Sequence, residues 1–340
     1  MYEKLGSFNP LQKNNFKLDV KDKKILFYLL NDSRMPFSTL AKKIGLSKET
    51  VLYRYNRFLK NNIILRNHPL IDYEKLGYQR FHILIILDES DKGKQKNFID
   101  FLKEDKSVLR ILEYSGHWDL EVIVLAKSLK EFDNLLQRLL EPFKSIIIRK
   151  DTEAEIDAIE HHSLPEIKML EVKPHSNSSP KILIKPSYDQ IDLKIIQKLS
   201  EDARISSYDL SQKIKLSSDA IRIRIKKLVE KGIIEGFTTQ INFSAFNYHG
   251  YVFNFNTSCI TKKQEMKLFS YCKNDHNFIA VKRLIGDWDF RTYLVVKDQI
   301  VFHNIVSQLK IQFNQDIRNY ETWVIYYEHY FNSFPEVLLM

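Results

Sequence analysis

The chain is poor in the residues that build several large classes of site. It has two cysteines, Cys259 and Cys272, too few for a disulfide framework or an all-cysteine zinc site. Nine glycines in 340 residues leave little for phosphate-cradling loops, and neither G-x-G-x-x-G nor G-x-x-x-x-G-K-[ST] occurs. No apolar run approaches the ~20 residues of a membrane helix; the longest, around Ile83 to Leu87, is strand-sized. The N-terminal MYEKLGSFNP has no apolar h-region and no cleavage site, so a cytoplasmic location is expected. No Ser-His-Asp, paired-carboxylate or H-E-x-x-H pattern stands out. His68 is isolated, and the adjacent His161 and His162 on a strand would face opposite ways. We therefore expect no catalytic residues, no metal and no cofactor. What is present is charge: 52 Lys+Arg against 43 Asp+Glu, a net +9, with 44% hydrophobic residues. That is an ordinary globular composition with a basic balance, and the length suggests two to four modules.

The chain also repeats itself. A shift of 170 residues brings Asp22-Lys23-Lys24-Ile25 onto Asp192-Leu193-Lys194-Ile195, and Asp32-Ser33-Arg34 onto Asp202-Ala203-Arg204. In the same register Leu40 and Lys43 to Ser47 fall on Leu210 and Lys213 to Ser217, and Arg54 meets Arg224. Ile63-Ile64 meets Ile233-Ile234, Tyr78 meets Tyr248, and Gly116-His117-Trp118-Asp119 meets Gly286-Asp287-Trp288-Asp289. One register kept this long means two diverged copies of one module of about 150 residues. Between them, residues 165–188 hold four prolines and a Ser176-Asn177-Ser178-Ser179 run, the composition of a linker.

The first part of each copy reads as three helices. Residues 19–66 and 189–236 are expected to be helix-turn-helix domains. Ile25, Leu26, Leu29 and Leu30 share one helix face; a short helix from Pro36 to Ile44 follows; then Ser47 caps a helix from Lys48 to Asn61. Its predicted buried stripe is Val51, Tyr55, Phe58 and Leu59, matched in copy 2 by Ile221, Ile225, Leu228 and Val229. Ser206 and Asp209 start the second helix of copy 2 in capping-box style. Gly232, and Asn62 in copy 1, suit the left-handed residue that ends the third helix. In such a tri-helical unit the last helix enters the DNA major groove. Residues 19–66 carry eleven basic and four acidic residues, whereas residues 189–236 carry ten and eight. The solvent face of the third helix is predicted to show Lys48, Thr50, Tyr53, Arg54 and Arg57 in copy 1. In copy 2 it is predicted to show Ser218, Arg222, Arg224, Lys226 and Lys227. These residue types can bond phosphates and base edges.

The run LSQKIKLSSDAIRIRIKKLVEKGIIEG, Leu210 to Gly236, resembles the DNA-binding domain of the Lrp/AsnC (feast/famine) transcription regulators. Copy 1 shows the pattern as LAKKIGLSKETVLYRYNRFLKNNII, departing from it at Tyr55-Asn56 and Asn61-Asn62. After each helical unit, residues 78–160 and 248–330 read as β-α-β-β-α-β, a ferredoxin-like order. The fold class expected is thus α+β: two winged helix-turn-helix domains alternating with two ferredoxin-like domains. These latter domains are similar to the family's effector-binding and oligomerising domain. The resemblance carries its G-x-x-D turn onto Gly116 and Asp119, and onto Gly286 and Asp289. There it implies a small effector such as an amino acid, whose ammonium group a carboxylate would accept. The residues alone read equally as a hairpin with a turn-capping Asp.

Ordinary members have one module per chain. Two fused modules therefore suggest an intrachain pseudo-dimer, one sensor sheet packing on the other, and a homo-oligomer of such chains is expected. The expected function is sequence-specific binding of double-stranded DNA in transcription regulation. Two alternatives share the architecture: a siroheme-decarboxylase-like enzyme of haem synthesis, and a non-specific chromatin-packing protein.

Overall fold

Local capping signals set the helix boundaries. The computed structural model describes residues 6–9, 16–88, 90–160, 164–168 and 186–340. Copy 1 comprises α1 (Val20–Asn31), α2 (Phe37–Ile44), α3 (Lys48–Lys60), β1 (Ile64–Ile71), β2 (Gln79–Leu87), α4 (Lys92–Glu104), β3 (Val108–Ser115), β4 (Leu120–Ala126), α5 (Leu129–Leu140) and β5 (Ile147–Glu160). A short α6 (Pro165–Lys168) follows. Copy 2 comprises α7 (Gln190–Glu201), α8 (Ser207–Ile214), α9 (Ser218–Glu230), β6 (Ile234–Ile241), β7 (His249–Thr257), α10 (Lys262–Asn274), β8 (Phe278–Ile285), β9 (Phe290–Val296), α11 (Gln299–Gln312) and β10 (Ile317–Phe331). The Ser47 hydroxyl accepts the Thr50 N–H, and Ser217 accepts that of Ala220. Asn62 and Gly232 adopt φ of +52° and +67°, as expected of residues that end a helix. Among the described residues no helix is long and apolar enough to cross a membrane. The His161-His162 pair and residues 169–185 of the expected linker lie outside the described residues. Within that linker, Pro165–Lys168 is helical instead, with Ile167 buried and Glu166 paired to Lys23 at 2.8 Å.

The chain forms two compact units, and both copies contribute to each. The head unit comprises Leu18–Tyr78, Glu166–Ile241 and Asn332–Met340. It holds both three-helix bundles, joined by an antiparallel pairing of β1 with β6. The sequence shows this segment only as extended chain. Pro69 sits in β1, a position open to proline because both strands of a two-stranded sheet are edges. The copies clasp each other in repeat-related pairs. Arg34 donates to the Ala203 carbonyl, and Arg204 donates to the Ser33 carbonyl. The Ser33 N–H donates to Phe237 O at 3.0 Å, and the Ala203 N–H to Asn67 O at 2.9 Å. The C-terminal residues complete this unit: the hydroxyls of Tyr73 and Tyr78 donate to Ser333 O and Val337 O at 2.8 and 2.6 Å.

The sensor unit comprises Met1–Lys17, Gln79–Pro165 and Asn242–Phe331. Both β-α-β-β-α-β orders are present as expected. Each copy contributes four strands, ordered β5-β2-β4-β3 and β10-β7-β9-β8. The sheets do not merely stack face to face. They pair edge to edge at β5–β8 and at β10–β3, closing one eight-stranded barrel. Closure satisfies the backbone groups that both edges would otherwise leave open. Residues alternate across each strand. One set, including Phe81, Ile83 and Ile85, packs under α4 and α5; Phe253, Phe255 and Phe290 pack under α10 and α11. The alternate set, including His82, Glu121 and Arg291, turns inward and is fully buried.

Candidate nucleic-acid interface

Helix α3 buries Val51, Tyr55 and Phe58, and α9 buries Ile221, Ile225 and Leu228. Leu59 and Val229, expected in these stripes, are 39% and 41% exposed. One residue beyond Phe58 or Leu228 lies about 100° around the helix, off the buried face. On the opposite side Lys48 and Tyr53 are exposed, Tyr53 by 67%. Thr50 is half-buried, its hydroxyl 3.0 Å from that of Ser47. In copy 2, Arg222, Lys226 and Lys227 are exposed. Arg222 pairs with Asp219, and Lys226 with Glu230 at 3.6 Å. The Ser218 hydroxyl donates to Ser211 Oγ at 3.3 Å.

Three arginines depart from the solvent-face reading. Arg54 reaches Asp19 and Asp22 at 2.6 Å each, and Arg57 reaches the other oxygen of Asp22 at 2.6 Å. Arg224 repeats the device with Asp189 at 2.9 Å and Asp192 at 2.7 Å. The physical reason is the first turn of α1 and α7. Asp19 and Asp22, like Asp189 and Asp192, form capping boxes, and the burial of Asp22 and Asp192 calls for a compensating cation. Hydrogen bonds to these carboxylates raise the pKa of Arg54 and Arg224 further. Sequence reasoning missed the aspartates, yet a signal was there: Asp22 and Asp192 align in the repeat, as do Arg54 and Arg224. Of the residues expected on the solvent face, Lys48, Tyr53, Arg222, Lys226 and Lys227 are exposed.

The four sensor-turn residues lie in the β3–β4 and β8–β9 turns. Gly116 and Gly286 have φ of +155° and +159°. Each also faces the other copy. A Cβ on Gly116 would sit 3.3 Å from Trp323 Cδ1, and one on Gly286 only 2.6 Å from Glu153 Cγ. The carboxylates are engaged. Asp119 accepts the Leu87 N–H at 2.7 Å. Asp289 accepts the Thr257 N–H and hydroxyl at 2.8 and 2.9 Å and meets Arg283 at 3.0 Å. Burial pushes the Asp289 pKa up, but these donors outweigh it and hold it low. The Asp residues thus tie each turn to the end of the neighbouring strand, β2 or β7.

Within the barrel lies a polar cluster that sequence reasoning did not single out. Glu121 accepts from Arg291 at 2.6 Å and from the Tyr293 hydroxyl at 3.0 Å, lies 2.7 Å from His82 Nδ1, and bonds the Tyr114 hydroxyl. Arg291 also meets Glu153 at 2.7 Å, and Glu155 meets Lys282 at 3.1 Å. Burial opposes ionisation of Glu121, but Arg291 and His82 hold its pKa well below the carboxylate range. Burial raises the pKa of Glu153. Glu121 and Arg291 interrupt otherwise apolar strands, which was the available signal, whereas Glu153 lies among other charged residues of β5 and gave none. Among the described residues no group of three or more His, Cys, Asp or Glu could hold a metal ion.

Residues 18–59 match the AsnC-type helix-turn-helix domain, and residues 188–235 match a winged helix-turn-helix DNA-binding family. An uncharacterized HTH-type transcriptional regulator of Pyrococcus furiosus is 32% identical over 139 residues, 41% of this chain and 90% of that protein. The HTH-type transcriptional regulator FL11 of Pyrococcus horikoshii is 29% identical over 119 residues, 35% of this chain and 78% of that protein. Among solved structures, the siroheme decarboxylase NirDL aligns over 94% of this chain and 97% of its own, with a TM-score of 0.61 and 12% identity. That likeness is one of fold. With the helix-turn-helix pattern in both copies and a relative covered almost end to end, the chain belongs to the Lrp/AsnC family of helix-turn-helix transcription regulators.

Proposed function

We propose that this protein regulates transcription in the cytoplasm as a non-enzymatic, sequence-specific binder of double-stranded DNA, and that its two helix-turn-helix copies read one site together. The observation that carries this reading is the head unit, in which β1–β6 pairing and the reciprocal Arg34 and Arg204 clasps hold both bundles in one body. Lys48, Thr50 and Tyr53 in α3, and Ser218, Arg222, Lys226 and Lys227 in α9, are the contact residues. Arg54, Arg57 and Arg224 support the helices from behind. The two faces differ in sequence, so the half-sites differ and the site has a direction. An orientation-fixed pair addresses half-sites one helical turn, about 10 bp, or a multiple apart. Selection from a randomised duplex library at physiological salt tests the reading. Two unlike half-sites at such a spacing support it. Retention without sequence preference would favour non-specific packing, and no retention would refute it. Incubation with an iron tetrapyrrole checks the fold-level alternative: a new visible absorption band would favour an enzyme.

A further inference from the structure

The strand edges that close the sensor barrel are joined by backbone hydrogen bonds, which any strand can make. Something else must decide which sensor copy meets which. The residues at the centre of the barrel supply it. In the register of the repeat, Glu121 corresponds to Arg291, so a residue and its own repeat image form the buried 2.6 Å ion pair. Around this pair the copies have diverged oppositely. Copy 1 supplies Glu121, Glu153 and Glu155, with His82; copy 2 has Arg291, Trp323, Ile325 and Val252 at those places. Lys282, which meets Glu155, replaces the Leu112 of copy 1.

We propose that this charge pair is a recognition device: the inner face of sensor copy 1 accepts a copy 2 face and rejects another copy 1 face. In a copy 1 pair, Glu121 would meet Glu121 at the centre, and both Arg291 and Lys282 would be missing. Each Glu155 would keep the Arg80 of its own copy, but both Glu121 and both Glu153 side chains would be buried without the arginine that meets them here. A pair of copy 2 faces would bring Arg291 against Arg291 with none of these carboxylates. An uncompensated buried charge disfavours either arrangement by at least a hundredfold. The partner that fits sensor copy 1 is therefore the second half of the same chain. The family's symmetric mode of pairing, sensor with identical sensor, is closed to it. This inference stands independently of what the heads bind.

The test uses the full chain. Arg291→Glu places two glutamates at the centre, as a copy 1 pair would. Urea unfolding is compared for the wild type, Glu121→Gln, Arg291→Glu and the double variant. The expected result is a change of sign. Glu121→Gln lowers the folding equilibrium of the wild type at least tenfold, but raises that of Arg291→Glu at least tenfold. If Arg291→Glu does not accumulate, recovery of soluble protein in the double variant is the same readout. The inference is overturned if Glu121→Gln weakens both backgrounds alike, or if adding it to Arg291→Glu recovers nothing.

Discussion

Replacing Arg54 by alanine separates structural from nucleic-acid roles on the reading helix. Its side chain is 20% exposed and holds two carboxylates, that of Asp19, itself 53% exposed, and that of Asp22, only 1% exposed. The Asp19 contact contributes at most about 1 kcal/mol, as for surface pairs. The Asp22 contact is a buried charge-assisted bond of about 1.5–3 kcal/mol, reduced because Arg57 still reaches the other oxygen. The expected total is about 2 kcal/mol, roughly thirtyfold in the folding equilibrium and about 4–8 °C in the melting of the head unit. Salt titration of DNA binding supplies the contrast. A phosphate contact changes the slope of log K against log salt by about 0.9. Lys48→Ala should lower the slope by that amount and leave the melting temperature unchanged. Arg54→Ala should lower the melting temperature and leave the slope unchanged. An Arg54→Ala protein of undiminished stability, with its slope reduced by about 0.9, would refute the assignment.

Acid should destabilise the sensor unit. The pKa values of Glu121 and Glu155 are depressed in the fold, against the push of burial, chiefly by Arg291 for the first and by Arg80 and Lys282 for the second. Their stabilisation is therefore full above the unfolded value of about 4.3 and is lost as pH falls below it; unfolding followed from pH 6 to pH 3, with loss of stability confined to the lower part, checks this. Gly286→Ala should cost about 1–3 kcal/mol, more than Gly116→Ala, because its Cβ meets Glu153 near the backbone whereas the Gly116 Cβ meets the Trp323 ring at 3.3 Å; paired thermal melts compare them. A thiol reagent should modify the exposed Cys259 in the native protein and the buried Cys272 only on unfolding, as mass spectrometry of labelled peptides would show.

The elements legible in the sequence were those that depend on neighbours along the chain. Ser47, Ser206 and Ser217 cap helices, as their spacing implies. The strand order of each sensor follows from period-two patterning and turns. What escaped notice depends on partners far away. The joining of β5 to β8 and of β10 to β3 uses backbone groups that every residue carries. The inward turn of Arg54 depends on Asp22, 32 residues earlier; an arginine on a helix reads the same whether it meets a carboxylate or solvent. Glu121 was legible as an oddity between Leu120 and Val122, but its meaning lay in Arg291, 170 residues on.

The interleaving of the two copies bears on how the chain reaches this state. Among the described residues, strand β3 takes its edge partner from β10, and β1 takes its partner from β6. Even the N-terminal segment waits: Ser7 O accepts the Phe243 N–H, and Phe8 O accepts the Glu328 N–H. Such distant pairings slow folding, because loop closure must precede the contacts that reward it. On the ribosome the first half emerges with open strand edges and a cluster of acidic residues awaiting its counter-charge. Until residue 291 is made, Glu121 and Glu153 lack the arginine that compensates their burial, which disfavours closure of a half-made barrel. Assembly of the barrel thus waits on the second copy, and chains carrying both copies should refold more slowly than single-module relatives of the same fold.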